Sequence, residues 1–199
     1  MVTMPVYTIF FVLFIALISI QRLHETFFSG KRKDGITGKK ETLTLKILAV
    51  IHATVIIGTT LEFFYVKREL NFLITLIGIG MYLMALIVRR ISIKTLGSYH
   101  SYNIEIFNEH QLIRRGIYKY MRHPIYAVTI LELLGIPLVG NAYYLFCVSL
   151  ILYMPVLGIR LLMEEKELIK KFGEEYIQYK RQVPALLPAI ILRRATKIK

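Results

Sequence analysis

The residues able to do chemistry in this chain gather in two places. Gly116-Ile117-Tyr118-Lys119-Tyr120-Met121-Arg122-His123-Pro124-Ile125-Tyr126 lies between a basic, polar segment and a long apolar run, and Arg160, Glu164 and Glu165 stand where that apolar stretch ends. Proline lacks an N–H and fixes φ, so Pro124 suits the first turn of a helix. The free N–H groups and positive dipole end of that helix suit an anionic group of a ligand, with Arg122 and His123 at the entrance. Arg160 and Glu164 are four apart and share one helix face. If the two helices run antiparallel, His123 and Tyr126 come level with Arg160 and Glu164. That grouping suits the holding of an anion. A collar of charges that merely marks a membrane interface is the plainer alternative.

The elements that must position these residues are apolar. Of 199 residues, 55% are hydrophobic, and the mean hydropathy of +0.54 is too high for an ordinary soluble domain. Several windows approach the roughly 20 residues needed to cross about 30 Å of hydrocarbon. The formal charge of +13 falls between and after the apolar runs, so it orients the chain and attracts anionic lipid rather than marking a nucleic-acid module. Five histidines are present, but none has the close spacing of a metal site, and Cys147 stands alone in an apolar run, where packing is its expected role. No Gly-x-Gly-x-x-Gly fingerprint or P-loop occurs, which excludes a soluble dinucleotide-binding domain.

The pattern predicts an all-α integral membrane protein forming a single membrane domain over residues 1–199, with about five spans. The first is 5–20, retained rather than cleaved because no basic n-region precedes it. A Gly-rich basic loop containing Arg22, Lys31, Arg32, Lys33, Lys39 and Lys40 follows and reads as cytoplasmic, which places the N-terminus outside and the C-terminus inside. The second span, 43–66, carries His52 and Glu62. For His52 an interhelical hydrogen bond is the expected role, with a substrate or proton contact as the sharper alternative. The third, 71–88, returns to the cytoplasm at Arg89 and Arg90, and Gly78 and Gly80 suit close helix packing. The apolar stretch after Pro124 is nearly twice one span, so Gly140-Asn141 divides it into a tight helical hairpin. Beyond Arg160, Leu161, Leu168 and Phe172 share a helical face, Gly173 is a cap or bend, and Tyr176, Tyr179 and Val183 suit a short interfacial helix over 174–182.

Gly-x-Tyr-x-x-x-Arg-His-Pro-x-Tyr at 116–126, Glu164-Glu165-x-x-Leu-x-x-x-Phe-Gly-x-x-Tyr-x-x-Tyr ending at Tyr179, and Val183-Pro184-x-x-Leu187-Pro188 together resemble the isoprenylcysteine carboxyl methyltransferase family of membrane S-adenosylmethionine enzymes. The resemblance covers 103–188, and the first three spans match only in hydrophobicity. It implies a division into N-terminal spans, 1–93, and a methyltransferase core, 94–199. It also implies a cofactor pocket for S-adenosyl-L-methionine, open to the cytoplasm, closed by C-terminal helices and reached laterally by a lipophilic substrate. By position, Asn103, His110, Gln111, Leu112, Ile113, Tyr118, His123, Pro124, Ile125, Tyr126 and Glu165 match the cofactor-binding set, and Arg160 and Glu164 the substrate-facing, catalytic pair. Two departures bear on substrate shape. Val128 replaces a glycine often found there, and Glu132 is an unusual acid within its span. The expected reaction is carboxyl O-methylation of a prenylcysteine-like or other lipophilic acceptor. Phospholipid N-methylation, a sterol-reductase-like nicotinamide enzyme and a non-enzymatic basic scaffold are the alternatives.

Overall fold

The computed structural model describes residues 4–28, 43–66, 68–100 and 111–188. Among them the fold is all-helical: α1 (Met4–Phe28), α2 (Leu43–Tyr65), α3 (Phe72–Leu96), α4 (Pro124–Val139), α5 (Tyr143–Phe172) and α6 (Glu174–Gln182). Four of these, α1, α2, α3 and α5, are long and apolar enough to cross a membrane. α4 is equally apolar, but its 16 residues reach only about 24 Å at 1.5 Å per residue. The fifth expected span is thus shorter than a bilayer core, and protein surrounds much of it: Val128, Glu132, Leu133, Ile136 and Val139 are all buried.

The start and stop signals account for the helix ends. The Asn71 side chain caps α3, accepting from the N–H groups of Leu73 at 3.1 Å and Ile74 at 3.2 Å. Pro124 opens α4 at a position where an N–H would have no intrahelical partner. Asn141 turns the chain from α4 to α5 with φ 51°, a left-handed conformation that asparagine tolerates better than most residues. The α5 N-terminus is capped from a distance: Glu62 on α2 accepts from the N–H of Tyr144 at 3.1 Å and of Leu145 at 2.9 Å. Gly173, at φ 55°, closes α5 and starts α6, the bend expected there.

Helices α3 and α4 pack along each other extensively. A Cβ on Gly78 would lie 2.7 Å from the Val139 nitrogen and 2.8 Å from the Gly135 carbonyl oxygen, so this crossing requires glycine. Gly80 faces open space and takes no part in the contact.

Two sequence expectations are corrected here. α1 and α3 run well past their apolar runs, ending at Phe28 and Leu96, so Arg22 and Arg89 are helical residues inside the bundle rather than loop charges. Arg89 is buried. Cys147 is exposed on the outer face of α5 and is not a core residue.

Candidate active site

The hairpin turn at 140–142 makes α4 and α5 antiparallel, so the start of one and the far part of the other lie together. Tyr126 donates its hydroxyl hydrogen to Glu164 Oε2, and it also lies beside Arg160. His123 stacks on the Tyr126 ring, with centroids 5.5 Å apart and planes 7° from parallel. Its Nδ1 is 3.9 Å from Glu164 Oε1. Arg160 is buried and donates from Nη1 to Thr44 Oγ1 on α2 at 2.8 Å. The sequence-predicted group of His123, Tyr126, Arg160 and Glu164 is therefore brought together.

The adjacent glutamates have different surroundings. The Glu165 side chain is 4% exposed and that of Glu164 34%. Glu165 is held from three sides: Arg122 Nε and Nη2 at 3.0 and 2.5 Å, His123 Nε2 at 3.3 Å and Lys180 Nζ at 2.6 Å. Charge-assisted bonds of this kind are the strong ones, and here they tie α5 to α6 and to the residues preceding α4. Glu164 has one firm partner and an open side.

Arg122 extends the clamp. Its Nη1 donates to the carbonyl oxygens of Lys180, at 3.0 Å, and Val183. Its own N–H and that of His123 bond to Pro184 O at 2.9 Å and Ala185 O at 2.8 Å. Residues 183–188 thus lie as a strap against the start of α4. On the outer side Tyr179 donates to the Tyr118 carbonyl at 2.5 Å, with the Arg114 guanidinium over its ring. Burial pushes the Tyr179 hydroxyl up to about 12, against the opposing pull of Arg122 and Arg114. Burial, then the nearby Glu164 charge, also raises Tyr118. Both hydroxyls stay neutral at physiological pH.

Of the other predicted residues, Tyr118 and Pro124 are buried beside the clamp, Ile125, Leu112 and Ile113 are half-buried, and Gln111 is exposed. Asn103 and His110 lie outside the described residues. Sequence reasoning did not find Thr44, Lys180 or the hub role of Arg122. An Arg directly before the His-Pro step was the available signal for the last; Thr44 had none. Among the described residues no group of three or more His, Cys, Asp or Glu side chains is arranged to hold a metal ion.

Fold and site together define a multi-pass integral membrane protein whose polar site lies at one end of a helical hairpin. Residues 77–170, from the middle of α3 through most of α5, match the sequence model of the isoprenylcysteine carboxyl methyltransferase (ICMT) family, which bears out the resemblance read from the motifs. The chain is similar to an uncharacterized protein, YpbQ, of Bacillus subtilis (strain 168), with 40% identity over 82 residues, 41% of this chain and 49% of that one. Methanethiol S-methyltransferase 1 of Bradyrhizobium diazoefficiens is 42% identical over 72 residues, 36% of this chain and 24% of the relative. Protein-S-isoprenylcysteine O-methyltransferase of Schizosaccharomyces pombe is 37% identical over 83 residues, 41% of this chain and 35% of the relative. The chain thus spans half or less of the length of these relatives. The fold resembles that of the eukaryotic intramembrane Ras methyltransferase ICMT, with a TM-score of 0.56 at 23% identity over 70% of this chain and 51% of that one.

Proposed function

We propose that this protein is an S-adenosylmethionine-dependent membrane methyltransferase that esterifies the carboxylate of a lipophilic acceptor. The observation that carries the reading is the meeting of Arg160, Tyr126 and the half-open Glu164 at the antiparallel ends of α4 and α5, inside the segment that matches the family.

The residues suit the cofactor. The flat His123–Tyr126 pair offers an aromatic face, and the open side of Glu164 offers negative charge to a cationic sulfonium. Tyr118, Gln111, Leu112, Ile113 and Ile125 would line the same pocket, with Asn103 and His110 contributing from the preceding segment. When bound, S-adenosylmethionine supplies a methyl carbon on sulfur that an oxygen nucleophile attacks in line. An ionised carboxylate needs no base, so the protein's task is alignment. Arg160, buried and braced by Thr44, fixes that carboxylate, while the apolar surroundings strengthen the attraction between the two reactants. A hydroxyl or amine acceptor would need a proton acceptor, and Glu164 is the nearest. Glu165 acts through others: it holds His123 and the strap in place.

The acceptor enters from the bilayer, and the basic loops set the site on the cytoplasmic side, with the N-terminus outside and anionic lipid at the surface. The methanethiol relative favours one second reading, transfer to a thiol. Calorimetry with S-adenosylhomocysteine on the detergent-purified chain tests cofactor use, with saturable binding expected. Methyl-labelled cofactor and a lipophilic carboxylate should then yield product that releases methanol in base. Base-stable label favours the thiol reading, and no binding at all overturns both.

A further inference from the structure

Glu165 uses its two carboxylate oxygens differently. Oε1 is fixed from inside the protein: Arg122 donates to it from Nε and Nη2, and His123 Nε2 and the Tyr176 hydroxyl lie at 3.3 and 3.5 Å. Oε2 has one partner among the described residues, the Lys180 ammonium at 2.6 Å. The three basic partners also differ in their access to water. The Lys180 side chain is 43% exposed, against 7% for Arg122 and 4% for His123. A buried acid thus has one oxygen held by enclosed groups and the other covered by a side chain that solvent reaches.

The fixed part of Lys180 is its main chain. Its carbonyl oxygen accepts from Arg122 Nη1 at 3.0 Å, within α6. A flexible stem separates that backbone from Nζ, so the ammonium can leave Glu165 without any shift of the helix. The exchange is lopsided. The lysine trades its acid for water at little cost, whereas an enclosed carboxylate that loses its partner needs another cation.

The neighbouring groups say which cation that is. The His123 ring stands between two acids, with Nδ1 3.9 Å from Glu164 Oε1 and Nε2 3.3 Å from Glu165 Oε1. On the cofactor reading above, the open side of Glu164 faces the sulfonium. S-adenosylmethionine carries its other positive charge, the α-ammonium, a few bonds along the same chain. That group has the three N–H donors and single charge of a lysine ammonium. A sulfonium beside Glu164 therefore brings a second ammonium toward the acid next to it.

We propose that Glu165 Oε2 is the seat of the cofactor's α-ammonium, and that Lys180 is a built-in competitor for that seat which the cofactor displaces. The inference rests on the cofactor reading and adds a control on affinity to it. Only the fraction of molecules with Nζ withdrawn can bind, so the lysine weakens binding by that fraction. In return the buried charge always has a partner.

The test is calorimetry on the full chain in detergent with S-adenosylhomocysteine, which keeps the α-ammonium without the sulfonium, and with its desamino analogue, which lacks the amine. Lys180→Met should bind S-adenosylhomocysteine about 10-fold more tightly than the wild type, as expected if the pair is formed in about nine molecules of ten. The desamino analogue should gain nothing. With no ligand added, the melting temperature of Lys180→Met should fall. A salt bridge that only held the clamp together would instead weaken both nucleosides when broken. Lys180→Arg keeps a cation on Glu165 and should return all three measurements toward wild type. Unchanged binding in Lys180→Met overturns the proposal, and so does an equal gain for both nucleosides. Weaker binding of S-adenosylhomocysteine also overturns it, because the lysine would then hold the cofactor rather than compete with it. In each of these cases the cofactor reading stands. A wild type that binds neither nucleoside overturns both.

Discussion

The two ends of the helical bundle handle charge in opposite ways. At the end away from the site, polar groups are consumed by one another. Glu62 takes Arg68 Nη1 at 2.9 Å as well as the two N–H groups that start α5. Arg68 lies over the rings of Tyr143 and Tyr144 at 5.0 and 4.4 Å. The Asn141 side chain donates to Thr75 at 2.9 Å and accepts from the Asn71 N–H at 2.9 Å and the Tyr143 hydroxyl at 3.0 Å. Tyr7 on α1 completes the knot through Thr75 and the Val139 carbonyl. At the other end Glu165 is equally saturated, but Glu164 beside it is not. One end staples the helices; the other combines a staple with an open acid, and only that combination can accept a reactant.

Substitutions at the two ends should therefore separate stability from turnover. The largest effect is expected from Glu62→Leu, which strands Arg68 and two helix N–H groups. Loss of one partner of a buried pair costs about 3–5 kcal/mol, seen as a lower melting temperature in detergent, with acceptor KM unmoved in the molecules that stay folded. A change in KM would break the contrast. Arg160→Lys keeps the charge but not the fork, and should lower kcat/KM about 100-fold, or about 2.7 kcal/mol, with little change in melting. Gly78→Ala inserts a methyl group against the α4 backbone and should cost about 1–3 kcal/mol, whereas Gly80→Ala should be silent. Glu164→Gln should cost less than about 10-fold in kcat for a carboxylate acceptor, and far more only if it removes a proton. The smallest effect is alkaline. Because burial holds the Tyr179 hydroxyl up at about 12, above the roughly 10 of an unfolded tyrosine, its contribution is whole below that lower value and is lost as pH rises toward the higher one. Tyr179→Phe should flatten that limb of a melting-temperature profile.

Much of this was legible in the sequence because apolar periodicity and punctuation agree. Pro124, Gly140-Asn141 and Gly173 mark real boundaries, and the 174–182 helix has the span that its tyrosine spacing predicts. The grouping of His123, Tyr126, Arg160 and Glu164 follows from antiparallel counting alone. What escaped was long-range. Arg22 and Arg89 look like the charged ends of spans because hydropathy falls there, yet their helices continue and Glu132 draws both inward. Hydropathy records transfer from water, not pairing, so a lone acid in an apolar run signals hidden partners without naming them. The Glu62 cap joins residues more than 80 positions apart and leaves no local trace.

α5 is a single helix of 30 residues, about 45 Å long at 1.5 Å per residue, which exceeds any hydrocarbon slab. Its final turns must project among the lipid headgroups, carrying Glu164 and Glu165 at that height. On the proposed function, a fatty acceptor would be modified while its tail stays dissolved in the leaflet, and the search for substrate would be two-dimensional. Turnover in reconstituted vesicles should track the acceptor's mole fraction in the membrane, and diluting the vesicles at constant composition should leave the rate per enzyme unchanged.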